Sequence, residues 1–122
     1  MNIKYNRSFI NGKFESLGKL TFDVLNPVNG ETISKVNDGG VSATKKAIKS
    51  ADIAFKSWSK LTAKSRSLHL ENLNELILDN KNELAKLITL ECGKPIKQSL
   101  AEVSYAASFI KWFAEEGKRT YG

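Results

Sequence analysis

Cysteine, histidine and methionine each occur once in this chain of 122 residues, and proline occurs twice. A single cysteine excludes an internal disulfide and fits a reducing compartment. One histidine and one cysteine are too few soft ligands for a transition-metal site. The opening MNIKYNRSFINGKF has no apolar run of the length a secretory leader needs. No later window approaches a membrane span. Repeats and low-complexity segments are missing too. Together these absences predict a soluble, cytoplasmic protein with no membrane association.

What is present is globular in character, with 41% hydrophobic and 26% charged residues. The net charge is +6. Basic chains can bind nucleic acid or other acidic surfaces. Here the lysines are spread out, as in Lys45, Lys46, Lys49, Lys56, Lys60 and Lys64, and they alternate with apolar residues at helical spacing. No RNP-like aromatic motif accompanies them, so a solvated surface is the simpler reading.

Residues 1–40 have the texture of short strands. Ser8–Gly12 followed by Lys13 and Phe14 reads as a strand, an Asn-Gly turn and a returning strand. Thr21–Pro27 alternates, with Phe22, Val24 and Leu25 as the inward candidates, and Asn26-Pro27 breaks it. A second Asn-Gly pair, Asn29-Gly30, opens a strand whose apolar positions are Ile33 and Val36. Asp38–Gly40 closes this section.

From Val41 the period becomes helical. Ser42 or Thr44 is placed to cap the first helix. Its apolar face is Ala47, Ile48, Ala51, Ala54, Phe55 and Trp58. Thr62 is placed to cap a second helix, with Leu70, Leu73, Leu76 and Ile77 as its stripe. Asn80 and Glu83 have the spacing of a capping box for a third, which buries Leu84, Leu87 and Ile88. Gly93 suits the left-handed position after that helix, and Pro95 suits the first turn of the next. The fourth helix runs from about Ile96 to Lys118. Its apolar residues, including Leu100, Val103, Tyr105, Ala106, Phe109, Ile110, Trp112 and Phe113, cover roughly 240° at 100° per residue. A surface helix shows a narrower stripe, so this one expects partners on more than one side. The fold class is α+β: a strand segment over 1–40 and a helical segment over 41–122, together a single incomplete domain.

Catalytic candidates are few. Cys92, between Glu91 and Lys94, has the look of a nucleophile. It lies at the C-terminal end of a helix, where exposed carbonyls disfavour a thiolate. His69 falls in the middle of the second helix with nothing to bring it to Cys92. Glu115 and Glu116 are adjacent and point 100° apart, which does not make a carboxylate pair. The Asn-Asp-Gly-Gly and Asn-Pro-Val-Asn-Gly turns lack the spacing of a phosphate-binding loop.

The order of motifs is more informative than any one of them. FINGKF, FDVLNPVNGETISKV, the alanine-rich helix with Phe55 and Trp58, TLECGKP and AEVSYAASFIKWFAEEGKRTYG follow one another. This order resembles the N-terminal part of the aldehyde dehydrogenase superfamily over essentially the whole chain. The last segment is most similar to the succinate-semialdehyde dehydrogenase branch. The resemblance implies an α/β fold with a Rossmann-like nucleotide-binding domain, on which 41–122 would pack. It implies an enzyme that uses NAD or NADP to oxidise a small aldehyde through a thiohemiacetal on a cysteine. A general-base glutamate and an oxyanion-binding asparagine assist. By the family pattern all three residues, and the nucleotide contacts, lie downstream of Gly122. The chain is therefore expected to hold no catalytic or cofactor-binding residue, to bind no cofactor alone and to be inactive alone.

The resemblance also implies positions within the chain. Ala101 and Tyr105, with Phe109 one turn on, would face the substrate tunnel. The backbone carbonyls of Val24 and Leu25 and the carboxylate of Glu91 would hold a monovalent cation, oxygen ligands suiting a hard ion. The family acid is often an aspartate, one methylene shorter than Glu91. The longer enzyme would be a homo-oligomer without nucleic-acid partners. Two other readings stand beside it: a non-enzymatic interaction module using the apolar face of the last helix, and a basic nucleic-acid binder.

Overall fold

Asn11 and Gly12 both take positive φ, 52° and 73°, which a two-residue hairpin turn of the primed type demands. They reverse β1 (Ser8–Ile10) into β2 (Lys13–Glu15). The Asn-Gly signal in the sequence is thus borne out. Phe9 sits opposite Phe14, with ring centroids 4.8 Å apart. The computed structural model describes residues 6–18 and 20–121.

A second antiparallel pair joins β3 (Leu20–Leu25) to β4 (Thr32–Asp38). The side-chain oxygen of Asn26 accepts the N–H of Val28, and that of Asn29 accepts the N–H of Glu31. Gly30, at φ 74°, supplies the left-handed step. Pro27 opens this turn and ends the ladder, as its missing N–H requires. Val24 is half-buried, whereas Phe22 and Leu25 are exposed, contrary to the inward placement expected for them. Among the described residues each sheet has two strands, and a two-stranded sheet has little face of its own to shelter them.

Helix α1 (Gly40–Trp58) begins before either expected cap. Asp38 accepts the N–H of Gly40, and Thr44 turns its hydroxyl back to the Gly40 carbonyl. Neither Ser42 nor Thr44 starts the helix. Gly39 permits the entry: a Cβ there would lie 2.5 Å from the Cβ of Ala43. The expected apolar face is mostly uncovered. Ala47 is half-buried, but Ile48, Ala51, Ala54, Phe55 and Trp58 are exposed. Only the edge near Ala43 is buried, where α1 packs against β1.

The strand-to-helix change falls at residue 40, but the chain divides into compact units after Ser59, because α1 packs with the strands. The second unit holds α2 (Ala63–Asp79), α3 (Lys81–Cys92) and α4 (Ile96–Glu116). Thr62 caps α2 by accepting the N–H of Ser65 at 3.1 Å. The capping box at Asn80 does not form. The Asn80 amide donates backward to the Leu76 carbonyl, 2.8 Å away, and Glu83 pairs with Lys86. With the α2 and α3 ends sharing Asn80, its side chain serves the orphan carbonyl of the first helix rather than an N–H of the second. Gly93 takes φ 67° and closes α3 as expected. Pro95 stands at the N-cap of α4, one residue before its expected place in the first turn.

The interior of this unit is made of small side chains. Ser67, Ala85, Ser99, Val103, Ala107 and Ala114 are buried, and Ser99 is the largest that is buried completely among the described residues. Small residues let α4 approach α2 and α3 closely. The α3 residues Leu84, Leu87 and Ile88 turn inward, half-buried as expected. In α2, Leu70 and Ile77 are half-buried while Leu73 and Leu76 are exposed. The buried row of α4 is Ser99, Val103, Ala107 and Ala114. At 100° per residue, Tyr105 and Trp112 stand roughly opposite and Phe109 and Phe113 on the flank between, exposed by 66%, 60%, 46% and 58%. The sequence expected this helix to seek partners on more than one side, and here one side goes unserved. Apolar patches of this kind bind environment-sensitive dyes. The chain is expected to raise dye fluorescence in the absence of denaturant, and a replacement of Phe109 and Trp112 by serine should remove much of the signal.

Candidate functional site

The exposed face of α4 carries the three side chains with a candidate tunnel role. Ala101, Tyr105 and Phe109 follow one another at steps of four, so the helix stacks them along one line. All three are exposed. The Tyr105 and Phe109 rings meet edge to face, centroids 4.8 Å apart and planes at 80°, a favoured aromatic geometry. Beyond them a shallow hollow of about 330 Å³ is lined by Ser108, Phe109, Trp112 and Phe113. Trp112 and Phe113 extend the row without having been marked as site residues. Their spacing of seven and eight from Tyr105 was the available signal. The face is mostly apolar and can receive a hydrocarbon surface, its polar groups being the Tyr105 hydroxyl and the flanking carboxylates of Glu102 and Glu116, which pair with Lys94 and Arg119.

The elbow between α3 and α4 shows what became of the cysteine motif. Cys92 is exposed at the last position of α3. Lys94 does not turn to it: its ammonium pairs with the carboxylate of Glu102, on the second turn of α4. Inside the elbow the hydroxyls of Thr89 and Ser99 meet at 2.9 Å. His69 is exposed on α2.

Glu115 and Glu116 are absorbed in surface pairing. Glu116 binds Arg119, and Glu115 binds Lys118 at 3.0 Å and Lys111 at 3.6 Å. Lys118 also reaches Glu71 of α2 at 3.3 Å, which ties the end of α4 to α2. The hydrogen bond from Lys118 holds the carboxyl of Glu71 below the usual glutamate value, helped by the Ser67 hydroxyl and opposed by partial burial. Lys118 likewise lowers Glu115, and its own ammonium is raised, first by Glu115. Carboxyls lowered by folding add stability above their unfolded pKa and lose it as pH falls through the folded one. The raised lysine adds stability below its unfolded pKa and loses it as pH rises through the folded one. The tie therefore acts across neutral pH. Lys118→Met should flatten the acid limb of a plot of urea midpoint against pH, and high salt should reduce the same limb in the parent chain. An unchanged acid limb would show that the pairing does not couple to folding.

The residues implied for a cation are divided between the two units. Val24 and Leu25 end β3 in the first unit, where the register with β4 shifts between them. Such an irregularity releases backbone groups from regular pairing. Glu91 is exposed in the last turn of α3, in the second unit. Among the described residues no three His, Cys, Asp or Glu side chains come together as metal ligands. No helix among them is long and apolar enough to cross a membrane.

Residues 14–122 match the aldehyde dehydrogenase family, and the chain belongs to that family. It is 50% identical over 117 residues to the mitochondrial succinate-semialdehyde dehydrogenase of Oryza sativa, covering 95% of this chain and 22% of the relative. It is 45% identical over 117 residues to the glutarate-semialdehyde dehydrogenase of Pseudomonas putida, covering 95% of this chain and 24% of that protein. Among solved structures, an NADP-dependent enzyme of Escherichia coli superposes with a TM-score of 0.93 at 44% identity, over 95% of this chain and 24% of that one. The chain thus spans about a quarter of the length of the relatives it matches.

Proposed function

We propose that this chain is the N-terminal part of a longer NAD(P)-dependent aldehyde dehydrogenase that oxidises a semialdehyde to the corresponding dicarboxylate. Succinate semialdehyde is the favoured substrate. The observation that carries the reading is the 50% identity to a succinate-semialdehyde dehydrogenase over 117 residues. The glutarate enzyme at 45% identity makes the homologous five-carbon semialdehyde the nearest competitor. In the reaction an aldehyde, water and the oxidised nicotinamide give the carboxylate, the reduced nicotinamide and protons. Within it this segment would do no bond-making. Its helices would pack on the nucleotide-binding domain, and α4 would present Ala101, Tyr105 and Phe109 to the aldehyde's path. An apolar wall of that kind suits the methylene chain of a semialdehyde, whose charged end needs a cation supplied from elsewhere.

Nicotinamide absorbance tests both halves. The 122-residue chain with either nicotinamide and either semialdehyde is expected to give no turnover above a protein-free blank. The product of a reading frame that continues past codon 122 is expected to turn over succinate semialdehyde with a higher kcat/KM than glutarate semialdehyde. Turnover by the chain alone would refute its passive role. A frame that stops at Gly122 and yields a stable soluble product would favour an interaction module built on the aromatic face of α4.

A further inference from the structure

Two contacts cross the elbow, and they differ in kind. The Lys94–Glu102 pair lies at the surface, its side chains exposed by 35% and 48%. The Thr89–Ser99 pair lies inside: Ser99 is completely buried and Thr89 half-buried. Ser99 also leans on the Pro95 carbonyl at 3.5 Å. An exposed ion pair is bathed in competing water and ions and holds geometry weakly. A buried hydroxyl has no water to fall back on, so a helix that slides or turns at this point leaves Ser99 only its long contact to the Pro95 carbonyl within its own helix. Gly93, at φ 67°, lets the chain turn here without itself fixing where α4 points.

We infer that the Thr89–Ser99 hydroxyl pair is the positioning element that aims α4, and that it thereby sets the placement of the Tyr105–Phe109 row. The surface ion pair is dispensable for this. The geometric half stands on the elbow alone. The selectivity half rests on the proposed function, which places the row beside the aldehyde. Ser99 begins the buried row of α4, six residues before Tyr105, less than two turns along one rigid helix. A change of seat at Ser99 is therefore transmitted to the aromatic row rather than absorbed.

A spin label on Asn82→Cys, at the far end of α3, and a second on Ser108→Cys on α4, in a Cys92→Ser background, report the angle between the two helices. The doubly labelled chain is expected to give one narrow distance distribution. Thr89→Val, which keeps shape and removes the hydroxyl, should shift or broaden it. Thr89→Ser should restore it, and Glu102→Gln should leave it unchanged. An unchanged distribution in Thr89→Val overturns the inference, and so does an equal effect from Glu102→Gln. In the full-length protein, Thr89→Val should change the succinate-to-glutarate ratio of kcat/KM severalfold through KM, with kcat within about twofold of the parent and rescue by Thr89→Ser. A shifted distance with an unshifted ratio would overturn the selectivity half. If Tyr105→Ala also left the ratio unmoved, the failure would belong to the placement of the row beside the aldehyde, and the elbow would stand.

Discussion

Ala107→Leu is expected to destabilise the helical unit by about 3 kcal/mol, at the top of the range for overpacking a tight interior. Ala107 is 2% exposed, in a seam whose other members are Ser99, Val103 and Ala114. Three added carbons must be fitted into a close-packed helix seam, and relief requires α4 to move away from the helices packed on it. The measurement is the urea midpoint followed by helical circular dichroism. Phe109→Ala provides the contrast on the other face. It removes a far larger group, yet at 46% exposure it should change stability little, within about 0.5 kcal/mol for a surface site. Equal effects from the two substitutions would mean that α4 does not use its small-residue face as its seat.

Gly93→Val should cost about 2 kcal/mol. Residue 93 adopts φ 67°, where a Cβ approaches the following carbonyl oxygen at a cost of about 1–2 kcal/mol, and β-branching is worse still. The glycine N–H also closes α3 by donating to the Thr89 carbonyl at 2.9 Å. A residue forced out of the left-handed region loses that bond and lengthens or frays α3. Gly93→Asn is the informative companion, because asparagine tolerates this region better than other side chains. It should recover a good part of the loss, and a result in which valine and asparagine behave alike would assign the effect to something other than backbone conformation.

Much of this architecture was legible because the local rules act on a few neighbouring residues. Asn11-Gly12 specifies its turn through φ alone. Thr62 caps α2 with its own hydroxyl, and Gly93 ends α3 because little else fits. The start of α1 was misplaced because Asp38, two residues before Gly40, satisfies the helix end in place of Ser42 or Thr44. Asn80 and Glu83 had the right spacing, but Asn80 ends one helix as well as starting another, and spacing does not say which end its amide serves. The apolar arc of α4 was read as broader than the chain covers, and Tyr105, Phe109, Trp112 and Phe113 are exposed. The apolar stripe of α1 was read as buried and is exposed. Helical spacing at Ile48, Phe55 and Trp58 defines a face, but spacing does not say whether another element covers it, and all three are exposed. The elbow contacts could not be read in advance, since nothing in the spacing from Thr89 to Ser99 distinguishes a buried hydroxyl pair from two solvated ones.

The two faces of α4 have a practical consequence. One is tuned for close approach and tolerates almost nothing. The other carries its large side chains outward and, in this chain, little of the folding load. A combinatorial library confined to positions 101, 105, 109 and 112 would therefore sample new surfaces on an almost unchanged scaffold, whereas one that strayed to 99, 103 or 107 would mostly yield chains that fail to fold. Substitutions on the outer face can accumulate without first requiring compensating changes within.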